Sequence, residues 1–326
     1  MYEKTVMFTG GCGAIGSEVI NRLKGQHPQT LFVNLDALTY AGKAEHIEPP
    51  FDNYVLVHGN ICDVECVANV LECYKPQVIV HLAAETHVDN SFGNSFQFTM
   101  TNVYGTHVLL ECTKQYIANG NAFERFIHMS TDEVYGSVSD DEEARKEDAL
   151  YAPSNPYAAT KVGAEMICMS YQKSFNVPLI IIRCNNALSK YQNNEKLIPK
   201  VISSIMKGDK VPVHGQGRSK RTFIHAYDIA DAIWLIMEQG ALGKVYNIGT
   251  DHEYSVLEVI DKIVSIMRPE VEDIKECIEF VPDRPFQDYR YFIDTMQLRE
   301  LGWTEKVGFH DAVATIIEAA VVGHTV

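Results

Sequence analysis

The sequence predicts a doubly wound, mostly parallel α/β sheet followed by a smaller α/β lobe, and three observations carry that expectation. Short β-rich apolar runs alternate with helical stretches, a glycine-rich turn links the first run to the first helix, and the alternation weakens after Cys184 into loops, short strands and helices. With 326 residues, 46% of them hydrophobic and 22% charged, the chain is long enough for a large core and two lobes.

Taken in order, the strand runs are TVMFTG, TLFVNLD, YVLVHG, QVIVHLAA, RFIHMST and PLIIIRC. Each is apolar on consecutive positions, which suits a strand covered on both faces, as in a parallel sheet between two layers of helices. The stretches 16–25, 64–74, 97–118 and 157–175 between them are expected to supply those helices. Residues 1–183 are assigned to the first domain and 184–326 mainly to the second lobe, with some of its segments returning to the first; no clean linker, repeat or low-complexity segment marks the edge. The charged stretch SDDEEARKEDA at 139–149 reads as a solvated loop.

Composition excludes several function classes. A formal charge of −15 leaves no basic face for gripping nucleic acid, so any anionic ligand must meet a local cluster of Lys and Arg. The opening MYEKTVMFTGGCG has no signal-peptide pattern and no apolar run approaches a membrane span, so a cytoplasmic protein is expected. The eight cysteines, Cys12, Cys62, Cys66, Cys73, Cys112, Cys168, Cys184 and Cys277, show neither CxxC pairs nor zinc-site spacing with His; reduced thiols and no metal are expected.

The first chemical signal is TGGCGAIGSEVINRL. Gly10, Gly13 and Gly16 lie between strand and helix, where bare backbone approaches a pyrophosphate at the helix N-terminus. Asp36 ends the second strand, placed to accept the ribose hydroxyls and to repel a 2′-phosphate, so the pattern is that of a Rossmann-type domain binding NAD rather than NADP. The second signal is YAATK. The i, i+4 spacing puts Tyr157 and Lys161 on one helix face, where the cation would lower the phenol's pKa and make it a proton acceptor. The third is MSTDEVYG, which sets Asp132 and Glu133 side by side at a strand end and raises the prospect of an acid and a base acting together; their titration would be coupled.

These motifs give the chain a resemblance to the extended short-chain dehydrogenase/reductases, and within them to the nucleotide-sugar 4,6-dehydratases, through LAAETHVDNS, STDEVYG, NPYAATK, EKLIPKVI, YNIG and DRPFQDYRYF over residues 4–303. THVDNSFGNSF, YGTHVLLE and RPFQDYRYF are similar to the UDP-glucose enzymes, including the dehydratase half of plant rhamnose synthases; bacterial dTDP-glucose enzymes usually have Gly-His at Phe286-Gln287. What the resemblance implies is an NAD-dependent dehydration of UDP-glucose, with dTDP-glucose as the alternative substrate. The sugar is oxidised at C4, loses water across C5 and C6, and regains the hydride at C6. Tyr157 would be the base for the 4-hydroxyl, Lys161 its partner and a holder of the nicotinamide ribose, Thr131 a hydrogen-bond partner at C4, Glu133 the base at C5 and Asp132 the acid at O6. Ala14, Ile15, Asn60, Ile61, Leu82, Ala83, Ala84 and Thr101 would join Gly10, Gly13, Gly16 and Asp36 around the cofactor. Glu85, Asn186, Lys196, Leu197, Pro212, Val213, His214, Arg221, Asn247, Arg284 and Gln287 would join Thr131 around the sugar nucleotide.

The resemblance also implies a homodimer through the helices at 97–118 and 157–175, although Val108, Leu109, Ile167 and Met169 there are explained equally well by core packing. A nucleotide-sugar 4-epimerase would share fold, NAD, Tyr and Lys but would have no use for two carboxylates after Thr131. A non-catalytic NAD-binding module would keep only the glycines. Three departures from relatives stand out. NNALSKYQNNEKLIP replaces NNVYGPNQFPEKLIP and predicts a less stiff loop. Asn60 replaces an Asp that accepts from the adenine amine, and the RSKR run at 218–221 is unusually basic.

Overall fold

The computed structural model describes residues 2–283 and 288–324. Along the chain, β1 (Lys4–Thr9) leads through the glycine turn into α1 (Ala14–Gln26), then β2 (Thr30–Asp36), β3 (Tyr54–His58), α2 (Val64–Tyr74) and β4 (Val78–His81). A long helical run follows: α3 (Val88–Gly93), α4 (Ser95–Phe98), a π-helical segment at Thr99–Gly105 and α5 (Thr106–Ala118). Next come β5 (Arg125–Thr131), a 3-10 turn at Asp132–Tyr135, α6 (Pro156–Phe175) and β6 (Leu179–Cys184). The remainder is β7 (Asn186–Leu188), α7 (Leu197–Lys207), β8 (Val211–His214), β9 (Lys220–His225), α8 (Ala226–Gln239), β10 (Val245–Ile248), β11 (Glu253–Ser255), α9 (Val256–Met267), β12 (Ile278–Val281), α10 (Met296–Glu300) and α11 (Phe309–His324).

Seven strands pair in the order β10-β6-β5-β4-β1-β2-β3, every pairing parallel. The order reverses between β1 and β4, which opens a crevice at the strands' carboxyl ends. Consecutive apolar residues are needed because both faces are covered: Val6 and Phe8 of β1 enter one core with α1 and α8, while Met7 enters the other with α2, α5 and α6. Val108 and Leu109 belong to that second core, and Ile167 and Met169 pack against it. A third core joins α7, α9 and α11 to the smaller sheets β11-β9-β7 and β12-β8. Beyond β6 the chain builds this third core, while α8 and β10 go back to the large sheet's side.

A buried ion pair ties α6 to β6. Arg183, on β6, and Glu165, on α6, have side chains 1% and 0% exposed and meet at 2.7 Å. The guanidinium also donates to the hydroxyls of Tyr135 and Tyr151, each at 2.6 Å, and to the carbonyl of Glu147 at 3.0 Å. The acidic loop at 139–149 is tied down as well, with Arg290 donating to the carbonyls of Ser139 and Glu142 and Lys220 pairing with Asp140. Removing one partner of a buried pair leaves the other desolvated and unpaired. Glu165→Gln is expected to destabilise the fold by about 3–5 kcal/mol, read as a lower urea midpoint; an unchanged midpoint would show that the guanidinium is satisfied by the tyrosines alone.

Candidate active site

The glycine turn is a steric requirement. Gly10 adopts φ +71°, and a Cβ there would lie 2.6 Å from the Ala83 Cα, while a Cβ on Gly16 would lie 2.5 Å from the Gly10 carbonyl. The first turn of α1 is thereby pressed against the ends of β1 and β4. Its N-cap, Gly13, has no side chain to close the helix, so the leading N–H groups are free for an anion. Asp36 closes the next strand. Its carboxylate accepts from the N–H of Cys12 at 2.7 Å and of Leu38 at 2.8 Å, and each oxygen keeps a further lone pair for a hydroxyl donor.

These residues form one end of a cavity of about 940 Å³ that continues to the ends of β5 and β6 and under the second lobe. At its far end stand Thr131, Glu133, Tyr157 and Lys161, with Lys196 and Arg221 across from them. α6 begins with Asn155 as N-cap, whose Oδ1 accepts the Ala158 N–H at 2.8 Å, and Pro156 at N1. That start fixes the rotation of the helix and turns Tyr157 and Lys161 inward. The Asn155 Nδ2 donates to Glu133 at 3.0 Å.

Burial dominates the electrostatics. Asp132 is pushed up to about 7, first by burial and then by Glu133, with the Asn185 amide and Arg221 opposing. Glu133 is raised by burial, opposed by its bond from Asn155 and by the charges of Arg221 and Lys196. Lys161 falls to about 8 through burial, and its ammonium donates to the Met129 carbonyl at 2.6 Å. Tyr157 is raised, not lowered: burial comes first, Glu133 second, and a hydrogen bond with Thr131 works the other way. The sequence-based expectation of a Lys-lowered phenol is corrected here, because Lys161 is committed to a backbone carbonyl and the buried phenol faces carboxylates.

Gly10, Gly13, Ala14, Ile15, Gly16, Asp36, Asn60, Ile61, Leu82, Ala83, Ala84 and Thr101 all line the cavity, as do Glu85, Thr131, Asn186, Lys196, Leu197, Pro212, His214 and Arg221. Asn60 spends its side-chain oxygen on the Cys62 N–H at 2.9 Å. Asp132 stands one residue behind the wall, 2% exposed, bonded to Thr131 and Asn185, which do line it. Two expected substrate residues are corrected. The Val213 side chain alternates away from Pro212 and His214 into the second lobe's core. Asn247 is fully buried on β10, accepting from Tyr135 at 2.8 Å and donating to the carbonyls of Arg145 and Asp294 at 3.1 and 2.9 Å, so its amide is structural. Arg284 and Gln287 lie outside the described residues. Of the RSKR run, only Ser219 and Arg221 line the cavity; Arg218 borders a separate depression beside Phe280.

Comparison with known proteins agrees with this geometry. Residues 7–316 match the model for the GDP-mannose 4,6 dehydratase family. The chain belongs to that family. It is 42% identical over 313 residues to a trifunctional UDP-glucose 4,6-dehydratase/UDP-4-keto-6-deoxy-D-glucose 3,5-epimerase/UDP-4-keto-L-rhamnose-reductase of Arabidopsis thaliana, a match covering 95% of this chain and 46% of that protein. The chain thus spans about half the length of that relative. Identity to the dTDP-D-glucose 4,6-dehydratase of Mus musculus is 36%, covering 97% of this chain and 88% of that one. A crystal structure of dTDP-glucose 4,6-dehydratase from Bacillus anthracis in complex with NAD superposes with a TM-score of 0.88 at 32% identity, covering 99% of this chain and 98% of that one.

Within this family framework, several cavity residues escaped the sequence reading. Asn155 had a legible signal, an Asn-Pro helix start two residues before Tyr157. Asn185, Asp288 and Tyr291 had none, since the site partners that place them lie far along the chain: Asn185 donates to Asp132, Ser154 to Asp288, and Tyr291 to Glu133 as well as to its near neighbour Asp288. The altered 187–194 loop is anchored rather than loose. Ser189 donates to the Ala14 carbonyl at 2.8 Å, the Lys190 N–H to Glu18 at 2.7 Å, and the Lys190 ammonium and Tyr191 hydroxyl both to Glu48 at 2.6 Å. Tyr191 also stacks on His46, ring centroids 4.4 Å apart. Hydrogen bonds to α1 and to the segment after β2 thus hold a loop that the sequence predicted to be less stiff. Glu48→Ala is expected to speed tryptic cleavage after Lys190 with the far-ultraviolet circular dichroism unchanged; an unaltered cleavage rate would show that Glu48 does not hold the loop.

Proposed function

We propose that this chain is an NAD-dependent nucleotide-sugar 4,6-dehydratase acting on UDP-glucose. The observation that carries the reading is the single cavity in which the glycine turn, the Tyr157–Lys161 face and the Thr131–Glu133 strand end converge, with Asp132 directly behind. NAD fits the first part: the leading N–H groups of α1 would meet the pyrophosphate, the tight packing at Gly10 and Gly16 would let the backbone come close, and Asp36 would take the ribose hydroxyls. Bound there, NAD would supply the hydride acceptor for C4 of the sugar and the hydride donor for C6.

The chain's own groups handle the protons. Burial and Glu133 hold the Tyr157 phenol in its neutral form here, so its work as a base needs the positive charge that bound NAD would bring beside it; as the phenolate, hydrogen-bonded to Thr131, it would take the proton of the 4-hydroxyl as the ketone forms. The ketone acidifies the C5 proton, which Glu133 removes. Asp132 protonates the 6-hydroxyl, which leaves as water, and C5 is reprotonated when hydride reaches C6. The division of labour between the carboxylates follows from their surroundings. Lys196 and Arg221 favour charge on Glu133, whereas Asp132 feels Glu133 as a neighbouring negative charge and keeps a proton up to about pH 7. Lys196 and Arg221 also form the basic island that a diphosphate needs in a chain of net charge −15. The UDP sugar is favoured over the dTDP sugar by the higher identity to the plant protein's dehydratase half.

Incubation with UDP-glucose and dTDP-glucose in parallel, followed by the alkaline absorbance of a 4-keto-6-deoxy sugar, tests both activity and nucleotide. Product from neither sugar would overturn the reading, and product from dTDP-glucose alone would reverse the nucleotide choice. NAD is used catalytically in this scheme, so no NADH should accumulate. Glu133→Gln is expected to retain hydride transfer to NAD in a single turnover while blocking water loss. Asp132→Asn should slow departure of the hydroxyl by ~10²–10⁴-fold. Turnover at the normal rate in either variant would show that the carboxylates are wrongly assigned.

The reading extends to a homodimer. Phe96, Met100 and Tyr104 recur every fourth residue along one helical run and are 85%, 48% and 42% exposed, beside Met166 of α6 at 41%. A second copy of the same face covers such a stripe with a symmetric helix-to-helix contact. Sedimentation at micromolar concentration should give twice the mass of one chain, and Phe96→Glu should give a single one; a monomeric wild type would rule the dimer out.

A further inference from the structure

Taking Asp132 as the acid at O6, as read above, we propose that Asn185 is the positioning residue that decides which oxygen of Asp132 carries the proton. Asn185 follows β6 directly, and Cys184 before it pairs in register with Thr131 at the end of β5. Its backbone N–H donates to the Ile248 carbonyl of β10 at 3.0 Å, so the residue is clamped between the ends of two strands. The side chain is buried, and its Oδ1 accepts the Thr250 N–H at 3.2 Å. A Cβ on Gly249 would lie 1.7 Å from that oxygen, so only glycine admits the amide here.

The backbone donor settles the orientation of the amide. A flipped Asn185 would set its NH₂ against the Thr250 N–H, donor against donor. The Nδ2 therefore faces Asp132 and donates to its Oδ2 at 2.7 Å. An NH₂ group cannot accept, so Oδ2 must stay the acceptor. The other oxygen, Oδ1, meets the Thr131 hydroxyl at 3.2 Å, and a hydroxyl can turn from donor to acceptor. Protonated Asp132 keeps both bonds only with its proton on Oδ1. Thr131 lines the cavity, so this is the side from which the proton can reach the substrate.

In the elimination, Glu133 takes the C5 proton, the C5–H electron pair becomes the C5–C6 double bond, and the C6–O bond breaks. The Oδ1 proton goes to the departing oxygen, which leaves as water, and Asp132 becomes a carboxylate already bonded by the Asn185 NH₂. The titratable and charged groups facing Asp132 are Glu133 on its own turn, Arg221 on β9, Tyr157 on α6 and Cys184 at the end of β6. None of them is a neutral donor to Oδ2.

The test uses the whole chain with NAD and two substrates, the natural nucleotide sugar and its 6-fluoro analogue, whose leaving group needs little acid help. Asn185→Leu removes the donor at similar volume. Asn185→Asp keeps the acceptor for Thr250 but turns an oxygen towards Asp132, and serves if the leucine variant folds poorly. For each, kcat on the natural sugar should fall on the order of 10²-fold with KM little changed, the low end for loss of a placed general acid. The basic limb of its pH profile should move up by about one unit, because the lost donor favoured the carboxylate. The fluoro sugar should recover most of the rate. Equal losses on both sugars with an unmoved limb, or normal turnover in both variants, would overturn the proposal. Asp132→Asn run alongside separates the two levels: if the fluoro sugar rescues it but not the Asn185 variants, only the role of Asn185 fails. If Asp132→Asn is not rescued, the reading of Asp132 as the acid fails as well.

Discussion

The site depends on β5 being held between two parallel neighbours. His128 pairs with His81 on β4 and Thr131 with Cys184 on β6, so the point at which the chain leaves the sheet is fixed from both sides. A slip of one residue would turn every side chain to the opposite face. The 3-10 turn that starts at Asp132 converts this fixed exit into a fixed direction for two adjacent carboxylates. The helix α6 then brings Tyr157 and Lys161 over the same strand end, with the Lys161 ammonium bonded to the carbonyl of Met129 on β5 itself.

Placing two carboxylates, a phenol and an ammonium in a buried volume is costly, and the site shows how the cost is distributed. Each group is pushed toward its neutral form by burial. Donors aimed at Glu133 and cations across the cavity favour its charge, while Asp132 is left nearer neutrality by its neighbour. Burial raises both acids, and the groups that oppose the rise differ across a single peptide bond. The difference comes from what faces each of them, and little of it from the residues themselves.

That is also why part of the site was legible in the sequence and part was not. The strand runs, the glycine turn, Asp36 and the Tyr-Lys spacing are local patterns, and local patterns fix backbone geometry through sterics and helix periodicity. The misplaced residues failed for nonlocal reasons. Val213 follows strand alternation, but whether an odd or even position faces the ligand depends on which side the third core occupies. Asn247 looks like a polar residue available to substrate until Tyr135, Arg145 and Asp294 are brought against it from distant segments. Asn185 lies next to Asn186 in sequence and both line the cavity, and only the fold shows that Asn185 also donates to Asp132.

The 187–194 loop carries the same lesson in reverse. Loss of Pro from a loop removes local stiffness, and from sequence alone that reads as loosening. The structure meets the loss with contacts that a local reading has no means of finding: Glu18 from α1, Glu48 from the segment after β2, and the carbonyl of Ala14 at the start of the phosphate-facing helix. These anchors do something that stiffness would not. A rigid loop holds its own shape, whereas a loop fastened to α1 is positioned relative to the glycine turn. Because the same loop runs on through Glu195 to Lys196, which faces Glu133 across the cavity, the fastening ties the glycine-turn end of the cavity to the end that holds the two carboxylates.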